Sequence, residues 1–113
     1  MANAKFEITK GKNGEFYFNL KAKNGQVILT SEGYSSKAGC KNGLESVAKN
    51  SKDKSNFEKK EAKNGKLYFS LLAANKQIIG SSQMYKSTSG RDNGIKSVQE
   101  NAGGAEVVDL TAE

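Results

Sequence analysis

An internal repeat limits what this chain can fold into. A shift of 51 residues aligns residues 6–50 with residues 57–101 without a gap, and 21 of the 45 aligned positions are identical. Many of the other pairs are conservative, such as Val27 with Ile78 and Leu44 with Ile95. One structural unit is therefore written twice. A unit of about fifty residues buries too little apolar surface to be stable alone, so the two copies are expected to share a core.

Each copy begins with a pattern typical of three short antiparallel strands. In the central one, Phe16, Phe18 and Leu20 alternate with polar or amphipathic residues, which predicts a strand with one buried face. An Asn-Gly pair precedes this strand in both copies and suits the two positive φ angles of a type I′ hairpin. A second turn separates it from the third strand. Two successive hairpins predict an antiparallel meander.

The last third of each copy changes to helical spacing. Ser36 and Ser87 are suited to N-cap positions, and Asn50 and Asn101 to helix ends. Glycines recur inside both helices, at positions 39 and 43 and again at 90 and 94, which favours close helix–sheet packing over a backbone turn beside a site. The residues expected to face the sheet are Cys40, Leu44, Val47 and Ser51 in the first copy and Arg91, Ile95, Val98 and Ala102 in the second.

These elements predict an α+β fold built from tandem duplicated β-β-β-α units, with a last strand at Glu106–Asp109. The economical packing is one antiparallel sheet with two helices on one face, related by a pseudo-two-fold axis. Residues 1–51 would form the first repeat, and residues 52–113 the linker and the second repeat, within one compact and monomeric domain.

Composition excludes several kinds of chemistry. The chain has no histidine, so Ser-His-Asp and Cys-His catalysis are absent, and no carboxylate pair is convincingly placed for acid–base work. We therefore predict that the protein is not an enzyme and holds no metal or cofactor. With no apolar stretch resembling a signal peptide or a membrane span, and with a single cysteine, a cytoplasmic protein without a membrane partner is expected.

The charge is positive but unevenly distributed. All 18 basic residues and nine acidic ones lie in residues 1–102, which gives that part a formal charge of +9, while the remaining tail is acidic. Such a surface could attract phosphate-rich partners. Seventeen of the basic residues are Lys and Arg91 is the only arginine, whereas nucleic-acid readout favours arginine. A solvated Lys-rich surface is therefore preferred over a nucleic-acid site.

Positions shared by both copies supply the candidate binding residues. Tyr17 and Tyr68 are expected on the outer face of the sheet, where aromatic rings can stack on bases or dock a partner, although Tyr is also an ordinary strand residue. The turns that contain Tyr34 and Tyr85 lead into the helix starts at Ser36 and Ser87. Helix N-termini favour anions, but capping alone is the simpler interpretation there.

Two further features carry less weight. Asn42 and Asn93 repeat inside the helices, and a structural brace to a neighbouring strand or turn is favoured over an amide presented to a ligand. Cys40 aligns with Arg91, so the thiol is not a requirement of the unit, and a small buried side chain is the preferred interpretation.

The repeated Lys-Asn-Gly turns, the Tyr-Phe-x-Leu-x-Ala strand and the Asn-Gly-(Leu/Ile)-x-Ser-Val helix resemble the YegP-like family of small uncharacterised bacterial proteins. The resemblance covers roughly residues 5–110 and implies a single sheet in which terminal strands are exchanged between the copies. Ser55–Glu61 and Ala105–Leu110 would make that exchange. The family brings no catalytic residues, so none is expected here.

The function expected from the sequence is a non-enzymatic binding or interaction module for a small anionic ligand or a protein partner. The missing catalytic groups and the repeated surface residues support it. Nucleic-acid binding, through the basic surface and the outward tyrosines Tyr17 and Tyr68, is the alternative.

Overall fold

A computed structural model describes residues 4–111 of the chain. Its elements follow the duplicated order, with three strands and a helix in each copy and a last strand after the second helix. The first copy contains β1 (Lys5–Lys10), β2 (Phe16–Lys21), β3 (Val27–Ser31) and α1 (Lys37–Asn50). The second contains β4 (Phe57–Glu61), β5 (Leu67–Leu72), β6 (Ile78–Ser81), α2 (Thr88–Asn101) and β7 (Glu106–Asp109).

All seven strands form one sheet in the order β4-β5-β6-β3-β2-β1-β7. β3 and β6 join the two copies at its centre. Five of the six pairings are antiparallel, as expected, but β7 runs parallel to β1. The expectation of a wholly antiparallel sheet is wrong at this edge. A chain that leaves α2 and crosses the sheet arrives beside β1 already running in its direction, and a parallel ladder can form there.

The strand exchange implied by the family resemblance is present. The segment after α1 forms a short 3₁₀ turn at Lys54–Asn56 and then β4, which pairs with β5 of the second copy. β7 follows α2 and pairs with β1 of the first copy. Each strand that follows a helix therefore pairs with a strand of the copy to which that helix does not belong.

The first hairpin turn of each copy differs from the predicted type I′ form. Gly14 and Gly65 have φ angles of 84° and 82°, but the asparagines before them do not have positive φ angles. The side-chain oxygen of Asn13 instead accepts a hydrogen bond from the backbone N–H of Glu15 at 3.0 Å. This local bond offers asparagine an alternative to the left-handed conformation, and only the glycine adopts it.

Both helices begin and end where the sequence indicates. The hydroxyl oxygens of Ser36 and Ser87 accept hydrogen bonds from the N–H groups of Gly39 and Gly90, each at 3.0 Å. α1 ends at Asn50 and α2 at Asn101. Each of these asparagines donates from its side-chain amide to the carbonyl oxygen of the serine four residues earlier. The repeated Ser-x-x-x-Asn pattern is therefore a helix-end device.

The helices lie on one face of the sheet and pool one core from both copies. α1 contacts β5 and β6 of the second copy as well as β2, and α2 contacts β3 of the first copy as well as β5. The predicted inward positions are buried, apart from Arg91, which is partly exposed. Within residues 4–111, no helix is long and apolar enough to span a membrane.

Candidate functional site

Tyr34 and Tyr85 are packing residues under the helices. Their rings stack on Phe18 and Phe69 with centroids 6.3 Å apart in each copy. Each tyrosine hydroxyl lies against a helix backbone at Gly43 or Gly94, where an added Cβ would overlap it. This contact explains Gly43 and Gly94 and supports the packing interpretation for them. Burial, followed by the nearby Cys40 and Glu32, raises the pKa of Tyr34 above its usual value.

Tyr17 and Tyr68 lie on the sheet face that carries no helix, and both are half-buried. The hydroxyl of Tyr17 accepts a hydrogen bond from the side-chain amide of Asn13 at 3.0 Å. The ring of Tyr68 has the ammonium group of Lys60 at 6.0 Å from its centroid. Because β3 and β6 separate β2 from β5, the two tyrosines do not form a joint stacking platform.

The two helix starts have different surroundings. At the start of α1, the carboxylate of Asp109 on β7 lies 3.0 Å from the ammonium group of Lys37. The anion favoured near this helix start is thus supplied by the chain itself. In the second copy Thr88 takes the place of Lys37, and Ser87 makes the capping bond alone. Ser36 and Ser87 both act as caps.

Asn42 and Asn93 do not brace a neighbouring strand. Both side chains are exposed, and neither amide has a hydrogen-bond partner among residues 4–111. Each asparagine directly precedes a glycine that faces the core. The asparagine side chain therefore points away from the sheet and does not form the expected brace. Asn93 lines a groove beside β4, and Asn42 lines a shallow depression of about 460 Å³ near Ala73.

A groove of about 380 Å³ lies between β4 and the outer flank of α2. We call it the β4–α2 groove. Ile95 contributes its apolar surface, and the remaining lining side chains are polar or charged. Three are lysines, two are amides and one is an acid. The lining residues are Lys54, Lys59, Asp92, Asn93, Ile95, Lys96 and Gln99.

The charges of the β4–α2 groove are only partly compensated. Asp92 accepts from Lys59 at 3.3 Å and from the Arg91 guanidinium at 3.3 Å. Desolvation alone would raise the pKa of Asp92, but the hydrogen bonds and charges of Lys59 and Arg91 outweigh it and hold that pKa below its usual value. Lys96 is 4.0 Å from Glu100, at the limit of an ion pair. The groove therefore presents net positive charge next to two amides, a combination suited to carboxylate or phosphate oxygens.

The single thiol of the chain is enclosed in the core, and possible metal ligands do not cluster within residues 4–111. In residues 4–111 no group of three or more His, Cys, Asp or Glu side chains is placed to hold a metal ion. Cys40 is fully buried, and burial, followed by the charge of Asp109, raises the pKa of its thiol. A thiol in that state is a poor nucleophile, which agrees with the packing role preferred for it.

Charge differences between the two copies mark the β4–α2 groove. Shared positions were favoured as functional, whereas most groove residues differ from their counterparts. Lys59 replaces Ile8, and Asp92 replaces Lys41. Lys96 stands where the first copy has Glu45. Such charge changes at aligned positions were the available signal, and of the predicted residues only Asn93 lies in this groove.

A sequence profile for a domain of unknown function, DUF1508, matches the chain twice, over residues 12–58 and residues 62–109. The chain belongs to the DUF1508 family. Each match begins after the first strand of its copy and continues to the strand after the helix. The DUF1508 unit is thus β-β-α-β, and β1 is additional to the two units.

Relatives of this DUF1508 protein share most of its length. A UPF0339 protein of Shewanella oneidensis is 57% identical over 106 residues, which cover 94% of this chain and 96% of the relative. The UPF0339 protein YegP of Escherichia coli K12 is 51% identical over the same shares of the two chains. The resemblance to the YegP-like family is thereby confirmed. These names state no activity.

Solved structures confirm the fold. The solution NMR structure of a UPF0339 protein from Shewanella oneidensis has a TM-score of 0.89 at 55% identity and covers 97% of this chain and 92% of its own. The solution NMR structure of YegP from E. coli, described as a protein of unknown function, has a TM-score of 0.93 at 48% identity, covering 100% and 97%. The tandem α+β architecture is therefore that of the family.

Proposed function

We propose that this DUF1508 protein is a non-enzymatic binding module whose β4–α2 groove receives anionic groups, carried by a small ligand or by a protein partner. The observation that supports this most directly is the set of three lysines around Asn93 and Gln99, with Asp92 as the one acid in the lining. Carboxylate and phosphate oxygens would accept from lysine and amide donors. The proposed setting is the cytoplasm.

The test is a titration of the isotopically labelled full chain at low ionic strength, followed by NMR chemical shifts. The probes are citrate as a carboxylate and pyrophosphate as a phosphate. We expect saturable shifts at Lys54, Asn93 and Lys96. The variant Lys54→Gln/Lys96→Gln should weaken binding at least fivefold, because it removes two of the three positive charges in the lining.

The matched control is Lys49→Gln, which removes an exposed lysine of α1 outside the β4–α2 groove. It should leave the groove shifts unchanged. Small shifts spread evenly over all lysines, or equal weakening by Lys49→Gln, would contradict the proposal, because they indicate screening of net charge and not a site. Saturable shifts confined to Tyr17, Tyr68 or the helix starts would contradict the groove as the binding site and would place binding at those residues instead.

Nucleic-acid binding is the alternative function, supported by the formal charge of +9 over residues 1–102. Its structural support is weaker, because Tyr17 and Tyr68 are half-buried and lie on separated strands. Fluorescence anisotropy with single- and double-stranded DNA and RNA across a salt series tests it. Salt-sensitive binding that Tyr17→Ala or Tyr68→Ala weakens would favour this alternative, and its absence at low salt would remove it.

A further inference from the structure

The pseudo-two-fold symmetry of the sheet is broken at its two edges. The six strands β1–β6 form three equivalent pairs about the centre, but β7 has no counterpart. In the first half β7 covers the outer edge of β1. In the second half β4 is the last strand, and no segment of residues 4–111 pairs with its outer edge. One half of the sheet therefore shows how a strand docks at a position that the other half leaves open.

The docking of β7 on β1 uses backbone and charge together. The N–H of Leu110 donates to the carbonyl oxygen of Ile8 at 3.0 Å, and that of Glu106 to the carbonyl oxygen of Ala4 at 3.1 Å. The carboxylate of Asp109 bonds to Lys37 on the adjacent helix. An extended segment with an acidic residue facing the helix is thus the kind of strand that this edge accepts.

Of the two acceptors that bond to β7, the counterpart of Ile8 is Lys59 on β4, and the counterpart of Ala4 is Ser55 in the 3₁₀ turn. The N–H of Ala62 donates to Lys66, next to β5, and backbone direction alternates along a strand. The N–H and C=O groups of Lys60 and Glu58 therefore point to β5, and those of Lys59 and Glu61 point away from the sheet. Lys59 aligns with Ile8, whose carbonyl oxygen is a β7 acceptor. The counterpart of that acceptor is available on β4.

The β4–α2 groove lies where a strand beside β4 would pass α2. In the first half, the start of α1 is next to β7, since the Asp109 carboxylate bonds to Lys37 and its charge raises the pKa of the Cys40 thiol. In the second half, Thr88 replaces Lys37, the matching stretch of α2 carries Arg91, Asp92 and Lys96, and the edge strand itself contributes Lys59. A docked segment would therefore meet more positive charge than β7 does, which selects acidic side chains.

Lysines on an edge strand also prevent apolar strands from pairing there. Lys59 replaces an isoleucine, so β4 is protected against a purely hydrophobic segment. The same side chain would complement an acidic residue of a guest strand, because Lys59 already bonds to a carboxylate, that of Asp92. Protection against self-association and selection of an acidic strand follow from one residue.

Resting on the function proposed for the β4–α2 groove, we propose that its ligand is an extended acidic segment of a partner protein, which adds to the sheet as a strand parallel to β4. Backbone hydrogen bonds to Lys59 and Glu61 would hold the segment. An acidic side chain facing α2 would bond to Lys59, Arg91 or Lys96. The open edge would thereby become an inner strand of an eight-stranded sheet.

The probe for this proposal is a terminally blocked synthetic peptide, Gly-Ala-Glu-Val-Val-Asp-Leu-Thr, which copies the residues around β7. It is added to the labelled full chain. We expect amide hydrogen exchange at Lys59 and Glu61 to slow at least tenfold on saturation, because both N–H groups become hydrogen-bonded. The amides of Lys60 and Glu58 already bond to β5 and should change little.

Matched variants separate strand docking from attraction by net charge. Lys59→Gln should weaken peptide binding at least fivefold. Lys60→Gln removes the same charge from the neighbouring residue on the opposite face of β4 and should have less than a twofold effect. A peptide with Asn and Gln in place of its acids should bind at least fivefold more weakly, and a peptide with proline for its second valine should not slow exchange.

A spin label on the peptide N-terminus should broaden signals near Phe57 more than near Glu61, which reports the parallel direction.

Several results would overturn the proposal. Binding in the groove without slowed exchange at Lys59 and Glu61 contradicts strand addition but leaves the anion-binding function standing, as does a response to citrate without one to the peptide. Changes at β1 would show that the peptide replaces β7 instead. A concentration-dependent dimer that the peptide dissociates would identify a second copy of this chain as the occupant. Silence toward both citrate and the peptide would reject the binding function as well.

Discussion

At the scale of single residues, differences between equivalent positions reveal local imperfections. Ser51 and Ala102 occupy equivalent places after the two helices, and both are almost fully buried. The hydroxyl of Ser51 has no hydrogen-bond partner within residues 4–111, whereas alanine has no polar group to satisfy. Burial of an unpaired hydroxyl costs free energy, so the first copy is less well adapted here than the second.

The Ser51→Ala variant should therefore be more stable than the wild type by about 1 kcal/mol, because it removes a polar group whose burial is not compensated. Chemical denaturation with urea measures the free energy of unfolding. The reciprocal variant Ala102→Ser provides the control and should lose stability by a similar amount. Destabilisation by Ser51→Ala would show that the hydroxyl has a partner, such as a buried water.

At the scale of elements, each helix is seated on its sheet through a glycine and a tyrosine. The hydroxyl of Tyr34 contacts α1 at Gly43, and that of Tyr85 contacts α2 at Gly94. The same tyrosines bond through their backbone to Phe16 and Leu67 at the beginning of the central strands. The strand-to-helix turn, the helix and the central strand are therefore joined at one place in each copy.

Replacement of Gly43 by alanine should destabilise the protein by about 2 kcal/mol, since the new methyl group overlaps the Tyr34 side chain and must displace it. Unfolding in urea gives this difference. The double variant Gly43→Ala/Tyr34→Phe should recover part of the loss, because the hydroxyl is the nearest atom. A double variant whose losses simply add would exclude this contact as the cause.

The docking of β7 should depend on pH. Hydrogen bonds from the Thr111 hydroxyl, from Lys37 and from the Thr111 backbone lower the pKa of Asp109 from 3.8 to about 2. A carboxyl whose pKa is lower in the folded state stabilises that state above its unfolded pKa, and the contribution is lost as the pH falls from 3.8 to about 2.

The Asp109→Asn variant should thus melt at a lower temperature than the wild type near neutral pH, and the difference should shrink as the pH is lowered through that window. Thermal unfolding at a series of pH values measures it. Glu106→Gln alters an exposed acid on the same strand and should show no such trend. A difference between Asp109→Asn and the wild type that stays constant down to the lowest pH would mean that the charge of Asp109 plays no part.

At the scale of the whole molecule, the two copies meet through a short central seam. β3 and β6 pair through only two residue pairs, Thr30 with Ser81 and Ser31 with Gly80. A Cβ on Gly80 would lie 2.8 Å from the carbonyl oxygen of Thr30 and 3.2 Å from Leu29. The first copy has Leu29 at the position equivalent to Gly80. The pairing of β3 with β6 therefore has space for one large side chain, that of Leu29, because the second copy has a glycine at the equivalent position.

Gly80→Ala should lower the stability of the entire protein by about 2 kcal/mol, because the overlap is with backbone that cannot easily move. Fluorescence and circular dichroism should still report one common transition, since neither copy has a core of its own. Gly104→Ala, where an added Cβ has no neighbour within 4 Å, is the control and should change stability by less than about 0.5 kcal/mol. Separate transitions for the two copies would contradict a shared core.

The sequence by itself determined the duplicated unit, its strands and helices, the helix caps and the residues that face the core. These follow from periods of two and 3.6 residues and from capping and turn chemistry, which act over a few residues. The form of the Asn-Gly turns was predicted incorrectly because Asn13 has a local side-chain bond that competes with a positive φ angle. The brace predicted for Asn42 and Asn93 is also absent from residues 4–111, because both side chains lie on the solvent-exposed faces of their helices.

Only the tertiary structure decided which edge β7 covers and which edge stays open. Backbone hydrogen bonds are alike at every strand edge, so the pairing of β7 with β1, about a hundred residues earlier, is not written in either segment alone. The pairing of β7 with β1 depends on where the chain emerges from α2 and on the bond of Asp109 to Lys37. The β4–α2 groove is a consequence of that choice, so the positions that both copies share, apart from Asn93, did not locate it.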